Sequence, residues 1–148
     1  MPNNYTVLND GSVVVEFWTG QVRQEELLAH ERLHLSDPLI KAGATVLVDA
    51  ERAHFGTTVE EIKEVSDLYG RVTGNLKVSR MALLVNEETY ERALVFLKQA
   101  EGYGVRGIVF NSLDIACIWL GLDVNVARTH LQALRAQSAL VDSASARF

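Results

Sequence analysis

Three apolar runs constrain this chain more than any other feature: residues 44–49 (ATVLVD), 78–85 (VSRMALLV) and 105–110 (VRGIVF). All three are strand-length. The first is continuously apolar instead of alternating, as expected of a strand covered on both faces of a sheet. Polar residues punctuate the ends of all three: Asp49, Asn86, and Asn111-Ser112. Helical spacing of apolar residues follows each run. Strands that alternate with helices imply parallel pairing through right-handed crossovers.

The remaining elements fit around these runs. Residues 5–8 and 12–18 are rich in β-formers and flank Asn9-Asp10-Gly11, a hairpin signal because Gly accepts a positive φ. Gly20 is read as the break after the second strand. A helix is expected over 23–35, with Leu27, Leu28 and Leu35 on one face and Ser36-Asp37-Pro38 as its stop. Residues 50–56 read as a polar loop. Thr57 and Thr58 each stand three residues before a glutamate, the spacing of a capping box, and open a helix carrying Val59, Ile62, Val65 and Tyr69. Gly70 to Gly74 marks its end. Asn86 is read as the cap of a helix that buries Tyr90, Ala93, Leu94 and Leu97. Asn111-Ser112 caps a short helix over 113–120 that presents Ile115, Ala116, Trp119 and Leu120 and stops at Gly121. A last helix runs to about residue 140, with Ala127, Leu131, Leu134 and Val141 along one side, and the tail from Asp142 is expected to be loose. The order β-β-α-β-α-β-α-β-α-α predicts an α/β domain. Its sheet should be mixed, with four or five strands and an N-terminal hairpin followed by βαβαβα.

Composition narrows the function classes. The 148 residues fit one domain, with residues 1–122 as its body and 123–148 as a C-terminal helix and tail. A net charge of −5, spread without a basic block, argues against a grip on nucleic acid. No run approaches the ~20 apolar residues of a membrane span, so stable membrane insertion is not expected. The N-terminus has no signal-peptide pattern, and the single cysteine, Cys117, suits a reducing compartment; a cytoplasmic location is expected.

This element order resembles the STAS domain and the bacterial SpoIIAA-like family over roughly residues 5–122. The similar segments are WTGQVRQEEL, SDPLIKAGATVLVDAERA, TTVEEIKEVSDL, SRMALLVNEETY and NSLDIACIWLGL. The resemblance implies a non-enzymatic regulatory or protein-interaction module without a cofactor. In the family's anti-sigma-factor antagonists a Ser or Thr opening the helix after the third strand is phosphorylated within an Asp-Ser-Ser-Gly type of motif. Thr57 and Thr58 are nearest by position, but Asp49 is followed by AERAHFG and the motif is missing.

Two constellations carry chemistry. Asp49, Asn86 and Asn111 end three strands that should run parallel, with Arg52 and His54 in the loop above the first. Ligands of open α/β sheets bind in the crevice outside such strand ends, and helix N-termini there favour anions, so these five residues form the expected binding site for a small or anionic ligand. Each asparagine is also accounted for as a helix cap. The second constellation is His30-Glu31-Arg32-Leu33-His34, an H-E-x-x-H match. Its two imidazoles lie one helical turn apart, suited to zinc, with Glu31 as general base of a hydrolase. A third ligand would have to come from His54, Glu51 or Glu60. The motif lies in a crossover helix and carries a charged Arg32, so the preferred reading is two partly exposed histidines on a helix flank and no metal. Cys117 is read as a packed thiol. The glycines 102, 104 and 107 lead into a strand and do not link a strand to a helix, which excludes a dinucleotide fingerprint. The chain is therefore expected to be a regulatory module with a protein partner and a small ligand. Its last helix should pack on the domain or on a second copy, making a homodimer; a zinc hydrolase is the alternative.

Overall fold

The computed structural model describes residues 4–70 and 78–146, with the side chains of the last helix described to residue 140. Five strands form one sheet in the order β1-β2-β3-β4-β5: β1 Tyr5–Leu8, β2 Val13–Val22, β3 Ala44–Phe55, β4 Val78–Val85 and β5 Arg106–Phe110. β1 pairs antiparallel with β2, and every later pair is parallel. The helices are α1 Gln24–Ser36, α2 Val59–Gly70, α3 Tyr90–Glu101, α4 Leu113–Leu120 and α5 Val124–Ala146. The mixed sheet and the alternation read from the sequence are present, and the sheet has five strands. None of the described helices is long and apolar enough to cross a membrane.

The β1–β2 connection is a tight turn in which Asn9, Asp10 and Gly11 all have positive φ. A Cβ on Gly11 would lie 2.3 Å from the Leu39 carbonyl oxygen, so both the dihedral and the close approach of the α1–β3 connection require glycine there.

Alternation along the strands divides the core in two. Val14, Trp18, Val46, Val48, Met81 and Leu83 face α1, α2 and α3, while Val13, Val15, Phe17, Leu47, Ala82 and Leu84 face α4 and α5. The last helix uses its stripe within the chain: Ala127, Leu131 and Leu134 are buried against the sheet in the second core. The segment after Asp142, expected to be loose, continues as helix through Ala146.

Several local expectations change. Residues 50–56 are not a loop, because β3 runs on to Phe55. The register moves from Phe17↔Asp49 to Thr19↔Arg52, so β3 carries one extra residue at this point, a bulge that bends the pair. Gly20 does not end β2 either; it pairs with Ala53, and the β2–β3 ribbon continues to Val22↔Phe55. β4 stops earlier, at Ala50↔Val85, so the ribbon projects beyond it. Its inner residues Val22, Ala53 and Phe55 are buried in the first core. A partner strand overrides the polar composition that reads as a loop. On the helices, Tyr90, Leu94 and Ile115 are exposed, and α3 buries Ala93, Leu97 and Ala100. Residues 71–77, which include most of the expected end of α2, and the side chain of Val141 lie outside the described residues.

Candidate functional site

The buried face of α1 is polar. Leu27, His30, Glu31 and His34 are its buried residues, whereas Leu28 and Leu35 are half-buried and Leu33 is exposed. These four positions share one helix face by their three- and four-residue spacing. The expectation of two partly exposed histidines therefore fails: His30 is 6% exposed and His34 is fully buried. What draws them inward is Glu16, the one acidic residue among the core-facing positions of β2, itself 3% exposed.

Glu16 sits between the two imidazoles. Its Oε1 lies 2.9 Å from His34 Nδ1 and 3.1 Å from His30 Nε2. The first contact is a hydrogen bond; the second has the distance of one but not the direction, so His30 Nε2 is buried without a hydrogen-bond partner, as is His34 Nε2. The other face of His30 is anchored, with Nδ1 2.8 Å from Asn4 Oδ1. Trp18 Nε1–H donates to Glu16 Oε2 at 3.4 Å, and the Tyr69 hydroxyl donates to Glu31 Oε2 at 2.7 Å. Aromatic rings enclose the pair: Tyr5 stacks on His34 at 5.7 Å, and Trp18 meets His30 edge-on at 4.7 Å.

The electrostatics follow from burial and proximity. Burial works to raise the Glu16 carboxyl, but the charges and contacts of His30 and His34 outweigh it and hold it well below the usual carboxylate range. Burial works to lower both imidazoles, and the neighbouring Glu16 overrides it and raises them. Glu31 moves the other way. Desolvation raises its carboxyl, Glu16 adds to that, and the imidazoles and the Tyr69 hydroxyl oppose it without winning. The Tyr69 hydroxyl is in turn pushed far up by burial and by Glu31. Two buried carboxyls, one on β2 and one on α1, thus have opposite proton preferences.

Beside this cluster lies a cavity of about 90 Å³ between the sheet and helices α1, α2 and α3. Its wall is largely apolar, with Val48 and Ala50 from β3, Met81 and Leu83 from β4, and Ala93 and Phe96 from α3. The polar lining is sparse: Glu16, Glu31, Thr89 and Arg92. Thr89 Oγ1 is buried without a partner. Phe55, carried there by the projecting ribbon, completes the wall.

The five residues expected at the strand ends do not form one site. Asp49 turns to the α5 side, where its carboxylate accepts a hydrogen bond from the Glu51 amide and lies 3.5 Å from Arg135. Arg52 is exposed on the ribbon; His54, also exposed, lies 3.1 Å from Glu88. Asn86 is fully engaged, accepting from the Thr89 amide and donating to the carbonyls of Glu51 and Ala53. It both caps the turn before α3 and ties down the ribbon. Asn86 and Asn111 do share a surface hollow, but its charged lining is Glu87, Glu88 and Glu91, with no basic side chain. Such a lining repels an anion. Thr58 forms the capping box with Glu61, at 3.0 and 3.2 Å. Thr57 is buried, and its carbonyl accepts from Arg92.

Of the residues weighed as a third zinc ligand, none is in the cluster; Glu16 takes that place, since His30, His34 and Glu16 each offer one ligand atom within 4.8 Å of the others. Sequence reading passed over Glu16 because it stands in a β-rich run, VVVEFW, with no motif around it. The available signal was the lone charge itself, on the face of an apolar strand that also carries Val14 and Trp18. Compared with protein-family models, with curated proteins and with solved structures, the chain matches none.

Proposed function

We propose that the chain is a non-enzymatic binding module of the STAS or SpoIIAA-like type that holds a small, mostly apolar ligand and presents the liganded domain to a protein partner. The observation that carries this reading is the apolar cavity under α1–α3 with the unpartnered Thr89 Oγ1 on its wall. Ligand sites are concave, mostly apolar and furnished with a few polar groups that orient what binds. At about 90 Å³ the cavity is smaller than the ~150 Å³ engineered cavity that admits benzene. It therefore suits a short aliphatic group, or the end of a longer one, with a hydroxyl or carbonyl oxygen placed at Thr89. The strand-end hollow, lined with three glutamates, offers an anion nothing comparable.

Thermal unfolding of the full chain with a series of linear alcohols from four to eight carbons tests the proposal. A concentration-dependent rise in Tm that is abolished in a folded Ala93→Phe variant is the expected result. Native mass spectrometry of the purified protein gives a second readout, a retained small molecule lost from the same variant. No shift with any alcohol and no retained mass would reject the cavity as the ligand site.

A further inference from the structure

We propose that Glu16, His30 and His34 form a binding site for a divalent transition metal, zinc in particular. The cluster has the right donors, one ligand atom from each residue within 4.8 Å of the others. Zinc binds imidazole nitrogen and carboxylate oxygen at about 2.0–2.2 Å, so neighbouring donors of a tetrahedral site stand roughly 3.3 Å apart. Here the Glu16 oxygen lies 2.9 Å from one imidazole nitrogen and 3.1 Å from the other. Small side-chain adjustments would open these separations around an ion.

The local hydrogen bonding leaves room for an ion. His30 Nδ1 is held by Asn4 Oδ1, while Nε2 stands 3.1 Å from Glu16 Oε1 without the direction of a hydrogen bond. His30 Nε2 and His34 Nε2 are both buried without a hydrogen-bond partner, and buried polar atoms left in that state call for a specific explanation such as an ion. An ion bound by His30 Nε2 removes one of these orphan atoms directly.

The surroundings resemble the outer support of metal centres. Ligating imidazoles usually give their other N–H to a fixed acceptor, as Asn4 offers to His30. Trp18 Nε1 steadies the second oxygen of Glu16, and Tyr5 and Trp18 hold the imidazole rings from the sides. Among the described residues the ion-pair partners of the buried Glu16 are the two imidazoles alone. Two nitrogens and one carboxylate suit zinc, whereas calcium and magnesium prefer all-oxygen surroundings. Two histidines and a glutamate form a three-ligand set of the kind that leaves zinc a further position. The H-E-x-x-H spacing brings the imidazoles to one face, and the third ligand comes from the neighbouring strand instead of from a later helix.

The site shares Glu16 with the cavity wall, but the two proposals have separate readouts. Metal content reads the first, and the alcohol titration reads the second. The test uses the full chain stripped with a chelator and titrated with zinc sulfate. Expected are one zinc per chain, a raised Tm, and at least a 100-fold loss of affinity in His30→Gln and Glu16→Gln. A His54→Ala, His130→Ala double variant, which removes the two histidines outside the cluster, should bind as the parent does. X-ray absorption at the zinc edge of the unmodified protein guards against variants that fail to fold, and should show two imidazoles and a carboxylate. No zinc uptake by the parent chain, a zinc shell with fewer than two imidazoles, or undiminished binding by folded His30→Gln would overturn the proposal.

Discussion

The two faces of the sheet are built by different rules. On the α4–α5 face the strands contribute Val13, Val15, Phe17, Leu47, Ala82 and Leu84, and the helices answer with Ala116, Cys117, Leu120, Leu131 and Leu134. Polar groups stay at the margin of this face, where Arg135 reaches Asp49 and lies over the Phe17 ring. On the α1–α3 face an otherwise similar set of apolar residues is interrupted in its centre by Glu16, His30, Glu31, His34 and Tyr69, and next to them by a cavity. The difference lies in consecutive residues of one strand: Val15 and Phe17 point one way, Glu16 the other. A fully apolar layer would have packed α1 as well. Buried charged groups contribute little net stability by comparison with apolar replacements, and they become costly when a partner is lost. The ligand cavity and the metal site proposed above both lie on this polar face, and the other face is the apolar platform.

The largest expected effect separates these roles. Glu16→Ala leaves two buried imidazoles without their shared partner and should destabilise the domain by about 3–5 kcal/mol, read by urea unfolding, while abolishing zinc uptake. Leu47→Ala, at a fully buried position on the opposite face, should cost about 2–5 kcal/mol through a cavity and leave zinc affinity unchanged in the folded fraction. If Glu16→Ala is within about 1 kcal/mol of the parent, the polar cluster is not what organises the α1 face, and the contrast between the faces collapses.

A smaller effect probes the rim of the cluster. Tyr69→Phe removes the hydroxyl that donates to Glu31 and should cost about 1–3 kcal/mol, the penalty of leaving a buried carboxyl short of a partner. The same unfolding measurement checks it. A neutral outcome would mean that Glu31 satisfies itself elsewhere.

The smallest effect concerns the platform alone. Cys117 is 1% exposed, and burial, with Asp114 adding to it, raises its thiol above the ordinary range. Its sulfur should therefore resist a disulfide reagent at pH 8 in the folded protein and react only as denaturant unfolds the chain. Rapid labelling of the native state would show that the α4–α5 face opens more readily than its dry packing implies.

Much of the architecture was legible from the residues. β4 spans Val78–Val85 and α4 spans Leu113–Leu120, as their apolar run and their Ser112 and Gly121 caps indicate. These signals are local. A cap, a turn glycine or an apolar run acts within a few residues, so the chain states it directly. The β2–β3 ribbon was not legible, because residues 50–55 become a strand only when β2 lies alongside. The H-E-x-x-H segment was visible as a pattern, yet its burial and its third member were not.

By itself, then, the sequence determined the α/β class, the alternation of elements, the mixed sheet, the cap at Asn86 and a cap at Asn111-Ser112, where Ser112 and not Asn111 accepts the helix N–H, since each follows from short-range propensity and periodicity. Only the tertiary structure decided that Glu16 would meet His30 and His34, fourteen and eighteen residues later in the chain. It also decided that Asp49 and Asn86 would serve separate purposes, one facing Arg135 and the other holding the ribbon. The physical reason is the same in each case. Whether a polar side chain is solvated, buried or poised to bind depends on which partners the fold brings within about 3 Å, the reach of a hydrogen bond, and no local pattern encodes that distance.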